Sequence, residues 1–331
     1  MSEEKILVTG SSGHLGEALV RVLRARGHPV VGLDVVPSPF TTIVVSIADR
    51  ADRDAVRASL AGVQGVIHAA TLHKPHVGSH DRQAFVDTNI SGTLVLLEEA
   101  AAAGVGSFVY TSTTSVFGRA LTPRPGAPAA WITEDVVLVP RNIYGVTKAA
   151  AEDLCELVAR DRGLPVIVLR TARFFPEADD RDDVRAAYPD ANVKANEYLY
   201  RRVDLEDVVS AHLLAVARAP AVGFAKYIVS ATTPFGPDDL ADLARDAPSV
   251  VGRLFPDQRA EYQKRGWKMF PAIDRVYVNA RARTDLGWTP KFDFGHVLDL
   301  LRAGEDPRSE LARTVGAKGY HEVSTGPYTI R

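Results

Sequence analysis

Tyr144 and Lys148 stand four residues apart in Tyr144-Gly-Val-Thr-Lys148. On a helix that spacing puts a phenol and an ammonium on one face, within reach of the same substrate. A phenol accepts protons near neutral pH only if its pKa falls from about 10 by roughly three units, or about 4 kcal/mol. A nearby ammonium favours the phenolate. Taken alone the spacing is common; with a nucleotide site in the same chain, a tunable proton acceptor suggests a redox enzyme.

Upstream, Lys5-Ile-Leu-Val-Thr-Gly10-Ser-Ser-Gly13-His-Leu-Gly16 is an apolar strand running into a glycine turn and a helix. Gly10, Gly13 and Gly16 permit a tight reversal, close approach of a pyrophosphate and packing of helix on strand. The helix start, around Ser12, His14 and Leu15, supplies amide donors for phosphate. Asp34 follows Gly16 by 18 residues, near the acidic position that binds the adenosine ribose. Its carboxylate would repel a 2′-phosphate, and no Lys or Arg follows closely, so NAD is favoured over NADP.

The elements that position these residues form one rhythm. Short apolar runs at 5–9, 29–34, 42–46, 66–68, 108–112 and 165–170 alternate with amphipathic segments at 15–26, 50–60, 83–103 and 144–162. That alternation predicts βαβ units and an α/β fold with a doubly wound parallel sheet, a Rossmann domain over 1–170. The rhythm breaks over 171–202, rich in charge, Phe and Pro. A helix at 205–218 and a strand at 225–229 return to the sheet, so 203–230 belongs to the first domain. Residues 171–202 and 231–331 are assigned to a smaller C-terminal substrate-binding lobe. The tail from Lys318 onward either closes over the site or packs on the surface.

With 39 basic and 41 acidic residues and a formal charge of -2, the chain has no basic block to track a phosphate backbone or an anionic membrane, which argues against nucleic acid. No stretch approaches the roughly 18 apolar residues of a membrane span. Met1-Ser2-Glu3-Glu4 is unlike a signal peptide, and the single cysteine, Cys155, suits a reducing compartment. A cytoplasmic location is expected.

Five motifs together resemble the extended short-chain dehydrogenase/reductase family, also called the NAD-dependent epimerase/dehydratase family. They are TGxxGxxG at 9–16, Val-Ile-His-Ala-Ala at 66–70, Asn89 in Thr-Asn-Ile-Ser-Gly-Thr, the hydroxyl-rich run Tyr110 to Gly118, and Tyr144-xxx-Lys148. The resemblance covers about the first 230 residues strongly. It implies Tyr144 as the general base or acid, Lys148 lowering its pKa and bonding the nicotinamide ribose, and Thr113 holding the reacting oxygen. Ser115 is the second choice among the neighbouring hydroxyls. Ala69, Ala70 and Asn89 are implied as cofactor contacts. The family helices corresponding to 83–103 and 144–162 pair two subunits, so a homodimer is implied; the alternative is two amphipathic surface helices.

Departures from the family pattern narrow the activity. Family dehydratases carry an Asp-Glu pair after the Thr, whereas Thr114-Ser115 stands here, which argues against dehydration. Ser46-Ile47 occupies the adenine-side position where the family often has Asp. Arg173 replaces an Asn of nucleotide-sugar epimerases, and Arg201 and Arg202 are shifted in register. An anionic substrate fits these arginines; so do ion pairs with Asp204, Glu206 or Asp207.

His68, His73, His76 and His80 crowd one segment, but their spacing matches no zinc pattern, so no metal is expected. His73 and His76 are instead candidates for substrate contact on the loop after the fourth strand. Asp179–Asp183 reads as a solvated loop or helix start, and Cys155 as a buried thiol. The sequence thus points to NAD-dependent hydride transfer at an alcohol or ketone of a sugar-like substrate, as in sugar epimerases. The alternative is a plain dehydrogenase or reductase of a sugar or other small carbonyl compound. A dinucleotide-sensing regulator would be expected to have lost Tyr144 or Lys148; both remain.

Overall fold

The computed structural model describes residues 4–318. From the N-terminus, β1 (Ile6–Thr9) turns into α1 (His14–Ala25), followed by β2 (Val30–Asp34), β3 (Ile43–Val44), α2 (Arg53–Ser59) and β4 (Gly65–His68). Next come α3 (Arg82–Val86), α4 (Thr93–Ala102), β5 (Ser107–Thr113), β6 (Ala130–Ile132), α5 (Ile143–Arg162) and β7 (Val166–Thr171). After α6 (Asp182–Ala187) and α7 (Asp190–Glu197), α8 (Leu205–Val222) leads into β8 (Phe224–Val229). The described chain ends with α9 (Leu240–Leu254), α10 (Gln258–Lys264), β9 (Arg275–Tyr277), α11 (Ala280–Leu286), α12 (Phe294–Ala303) and α13 (Glu310–Val315).

Seven parallel strands form one sheet in the order β3-β2-β1-β4-β5-β7-β8. The pleat sends alternate side chains to opposite faces. Ile6, Val8, Ile67, Val109 and Ile167 pack with α1 and α8 on one face. Leu7, Val66, Phe108, Val166 and Val168 pack with α2, α4 and α5 on the other. Helices cover both faces, which is why the strands carry almost uninterrupted apolar residues. The sheet is the doubly wound Rossmann arrangement.

A second core gathers Val193, Leu199, Leu243, Val251, Tyr262, Ile273, Phe294 and Val297, with β6 and β9 paired in parallel at its edge. Not all of 231–331 belongs there. Ala282, Leu286, Trp288 and Val315 join the sheet core, because α11 packs on β8 and α13 on α1 and α8.

Two further differences from the sequence reading have local causes. The single helix expected over 83–103 is split by a π-helical turn over Asp87–Gly92. There Gly92 abuts Ile47, and an added Cβ would lie 2.8 Å from its Cγ1. The strand expected over 42–46 shortens to two residues, since the Ser46 amide is claimed by the Asp52 carboxylate at 2.7 Å. By contrast α5 is bounded as its sequence dictates. Asn142 caps its start by accepting from the Gly145 amide at 3.0 Å, and Gly163 ends it at φ 68°.

Candidate active site

The strand order reverses between β1 and β4, and such a switch point opens a crevice at the carboxyl ends of the strands. A cavity of about 860 Å³ lies in it. Gly10 turns at φ +72°, and a Cβ there would lie 2.7 Å from the Ala70 nitrogen; one on Gly16 would lie 1.9 Å from the Gly10 carbonyl oxygen. The reversal therefore has no room for a side chain at either position. Ser12, Gly13, His14 and Leu15 line the cavity at the start of α1, with Ala69 and Ala70 opposite and Ser46 and Ile47 farther out.

The Asp34 carboxylate accepts from the Ser12 and Val36 amides, each at 2.9 Å. Each oxygen keeps a lone pair for a ribose hydroxyl. Val35, Val36 and Ser38, none of them a cation that could receive a 2′-phosphate, line the cavity beyond it. His14 is buried and stacks on Phe174 at 5.8 Å. Burial, aided by the Lys318 charge, pushes its imidazole down to about 4, so the ring is neutral.

Tyr144, Thr113 and Ser115 share the cavity wall. Burial pushes the Tyr144 phenol up to about 12, a rise only partly opposed by the Thr113 hydroxyl. Lys148 departs from its expected place. It lies behind the wall, 2% exposed, donating to the Thr111 carbonyl at 2.7 Å with its ammonium 4.0 Å from the Tyr110 ring centre. A buried ammonium needs such partners, and burial pushes it down to about 7. In the protein alone, the phenol is not lowered by Lys148 as the family resemblance implies.

Asn89 does not line the cavity either. Its side-chain oxygen accepts from the Leu72 amide and Thr71 hydroxyl, and its nitrogen donates to the Leu72 carbonyl and Thr147 hydroxyl, all at 2.8–3.0 Å. It pins the loop after β4 to α5, and so acts on the site through the backbone. His68 is not part of the histidine-rich loop: it is buried in β4 between the Thr9 and Thr93 hydroxyls at 2.7 and 2.9 Å.

Sequence reasoning missed a buried group behind Thr113. Ser112 donates to Glu152 at 2.5 Å, and Arg170 binds the same carboxylate through Nη2 at 2.8 Å. Two signals were available: Glu152 continues the Tyr144, Lys148 face by one more turn, and Arg170 interrupts the apolar strand Val-Ile-Val-Leu.

On the substrate side, His73 and His76 line the cavity. The His73 amide donates to His76 Nδ1 at 2.9 Å, and the His73 ring stacks on Phe175 at 5.6 Å. Lys74 pairs with Asp180 across the mouth. Burial would raise the Asp180 carboxyl, but Lys74 outweighs it and holds it at about 2.

Arg173 and Arg201 also line the cavity. Their partners are not the expected Asp204, Glu206 and Asp207. Arg173 binds Asp179 at 2.5 Å and Glu197 at 3.0 Å; Arg201 binds Glu197 at 2.7 Å and Asp179 at 3.3 Å. Asp204 and Asp207 instead hold backbone amides of Ser309, Lys291 and Phe292. Asp179 is therefore no solvated loop residue, being 4% exposed.

Lys318 lines the cavity and pairs with Glu17 on α1; the rest of the tail, like Met1-Ser2-Glu3, lies outside the described residues. Cys155 is fully buried. Among the described residues no group of three or more His, Cys, Asp or Glu is arranged to hold a metal ion, and no helix is long and apolar enough to cross a membrane.

A sequence model of the NAD-dependent epimerase/dehydratase family matches residues 6–230, and the chain belongs to that family of NAD-linked epimerases and dehydrogenases. It is 32% identical over 220 residues to sterol demethylase protein B of Methylococcus capsulatus, covering 63% of this chain and 65% of that one. It is 26% identical to a 3-beta-hydroxysteroid dehydrogenase of Mycolicibacterium neoaurum, covering 87% of each. It is also 26% identical to a UDP-glucose 4-epimerase of Streptomyces lividans, over 86% of this chain and 91% of that one. A solved short-chain dehydrogenase/reductase superfamily protein from Agrobacterium tumefaciens, with NAD bound, shares the fold at a TM-score of 0.65 and 24% identity, covering 94% of this chain and 99% of that one.

Proposed function

We propose that this protein transfers hydride between NAD and a secondary alcohol or ketone on a sugar-like or other ring-bearing molecule that has no diphosphate handle. The observation that carries this reading is the pairing of Arg173 and Arg201 with the buried Asp179 and Glu197. Each cation already binds two buried carboxylates, which compete with a diphosphate for its charge. Phe174 and Phe175 beside them give the cavity an aromatic surface suited to the apolar face of a ring.

Gly10 to Gly16, Asp34, Ser46, Ile47, Ala69 and Ala70 would hold NAD, which supplies the hydride acceptor when bound. Thr113 hydrogen-bonds the reacting oxygen and Tyr144 takes its proton. Lys148, from behind, lends positive charge as the phenolate forms. His73, His76 and Ser115 orient the substrate. Thr114 and Ser115 stand where family dehydratases carry an Asp-Glu pair, which argues against dehydration. The second core forms the substrate-binding lobe.

A second reading, a nucleotide-sugar 4-epimerase, draws on Arg275. It lines the cavity beside Tyr277, and its Nε has no partner. Incubation with NAD and a panel of free sugars, uronic acids, hydroxysteroids and nucleotide sugars separates the two. NADH release from a ring alcohol without a nucleotide supports the first reading. Interconversion of nucleotide-sugar isomers without net NADH supports the second and overturns the first.

We also propose a cytoplasmic homodimer formed through α4 and α5, supported by the exposed Val146 and Leu157 on α5. Light scattering at the mass of one chain would exclude the dimer.

A further inference from the structure

Behind the cavity wall, three buried side chains tie the catalytic helix to two strands of the sheet. Glu152 is completely buried, Arg170 is 3% exposed and Ser112 is 2% exposed. The Ser112 hydroxyl donates to Glu152 Oε1 at 2.5 Å. Arg170 donates to the same carboxylate from Nε at 3.1 and 3.2 Å and from Nη2 at 2.8 Å. Its remaining nitrogen, Nη1, donates to the Glu134 carbonyl at 2.8 Å, and its guanidinium lies 5.1 Å from the centre of the Phe117 ring. Thr171, next to Arg170 on β7, donates to the Ser112 carbonyl at 2.9 Å.

The placement relative to the reacting groups is what matters. Tyr144, Lys148 and Glu152 follow one another at four-residue steps along α5, so they share one face. Ser112 immediately precedes Thr113 on β5. A single carboxylate thus connects the helix that carries the proton acceptor to the strand that carries its hydroxyl partner.

Stability alone is a poor explanation for such a group. Desolvating two charges offsets much of their attraction, and apolar residues of similar volume often serve as well. We propose that Glu152, clamped by Arg170, is a positioning residue for hydride transfer: it fixes Thr113 through Ser112 and supplies the buried negative charge that faces Lys148.

The surroundings of Lys148 leave that second role to Glu152. On α5 its titratable neighbours are Tyr144, Glu152 and Cys155; β5 contributes Tyr110, and β4 contributes His68. Burial keeps the phenols and the thiol neutral by pushing all three up, and keeps His68 neutral by pushing it down to about 3. Glu152 is the anion in that set. Burial lowers the Lys148 ammonium; Cys155 and Glu152 oppose that fall, and with the thiol held neutral by burial the opposing charge is that of Glu152.

The test compares the full-length wild type with the Glu152→Gln variant and with the double variant Glu152→Met, Arg170→Leu, which removes both charges while keeping the volume. The direct readout needs no substrate: lysine 13Cε NMR against pH, with the Lys148 signal assigned by its loss in Lys148→Met. The double variant should keep its melting temperature within a few degrees and its Kd for NADH within twofold. In Glu152→Gln, which removes the negative charge alone, Lys148 should titrate at least about one unit lower, since an opposite charge nearby shifts a pKa by about 1–3 units.

On whichever compound the panel identifies, kcat should fall at least tenfold with KM little changed. An unchanged Lys148 titration in the Gln variant would overturn the inference. So would a double variant that cannot fold, because the pair would then be structural. If the Gln variant unfolds, with Arg170 left unpaired, the double variant still decides through its kcat, an unchanged value overturning the inference. Positioning depends on the reading of hydride transfer given above, but the two fail separately: an inactive panel defeats that reading, while the lysine titration reports on Glu152 regardless.

Discussion

Lys148 donates to the Thr111 carbonyl at 2.7 Å, two residues before Thr113 on the same strand. The lysine therefore meets the sheet behind the reacting hydroxyl, not the open cavity. Its contribution to chemistry is charge, and its buried ammonium is costly to the fold. Lys148→Met should leave thermal stability unchanged or higher while lowering the rate of NAD reduction by about 100-fold, the low end for loss of acid–base assistance. Parallel melting curves and initial rates check this; a variant that loses stability and activity together would contradict it.

Tyr144 carries the pH dependence. Its phenol is pushed up to about 12 by burial, so below that pH the deprotonated form is the scarce one. Alcohol oxidation, which needs the phenolate, should speed up as pH rises. Ketone reduction, which needs the neutral phenol, should not. The measurement is kcat/KM in each direction across the range, with Tyr144→Phe as the inactive control. Oxidation that slows with rising pH in Lys148→Met as well as in the wild type, so that discharge of Lys148 near 7 is not the cause, would remove Tyr144 from the role of base.

Asp34 sets the choice of dinucleotide by repulsion. With Ser12 and Val36 donating to it, the carboxylate is held in place and cannot swing away from a 2′-phosphate. Wild type should prefer NAD over NADP by about 100-fold, the equivalent of roughly 2.7 kcal/mol. Asp34→Ala with Val35→Arg should narrow that preference to near parity, measured as Kd for NADH and NADPH by fluorescence. Equal binding of both by the wild type would refute the assignment.

The sequence made the parts governed by short-range rules legible: the β1 turn, the capped α5 and the apolar strands. It located Gly10, Asp34, Thr113 and Tyr144 on one cavity because a doubly wound sheet brings strand ends together. It could not show where long side chains finish. Lys148 and Asn89 turn away from the cavity toward a carbonyl and a loop. Arg173 and Arg201 find Asp179 and Glu197, which no spacing rule connects to them. The π turn at Asp87–Gly92 depends on Gly92 meeting Ile47, a contact 45 residues away in the chain.

Glu197 is the sharpest test of the substrate reading, because it is shared by three guanidinium groups. Burial alone would raise its carboxyl, but Arg201, Arg202 and Arg173 together hold it well below the ordinary range. A carboxylate depressed in the folded state contributes stability that is full above its unfolded pKa of about 4.3 and declines as pH falls below it, since the unfolded chain then binds the extra proton. Glu197→Gln should cost about 3–5 kcal/mol at neutral pH by stranding buried cations, and its urea stability should lose this acid-dependent component. The same variant releases Arg173 from one of its three carboxylate partners and Arg201 from one of its two. It should bind UDP more tightly than the wild type, whose Kd for UDP we expect to be about 1 mM or weaker. Micromolar UDP binding by the wild type, in the same calorimetric titration, would show that the paired arginines still serve a diphosphate and would return the protein to the nucleotide-sugar epimerases.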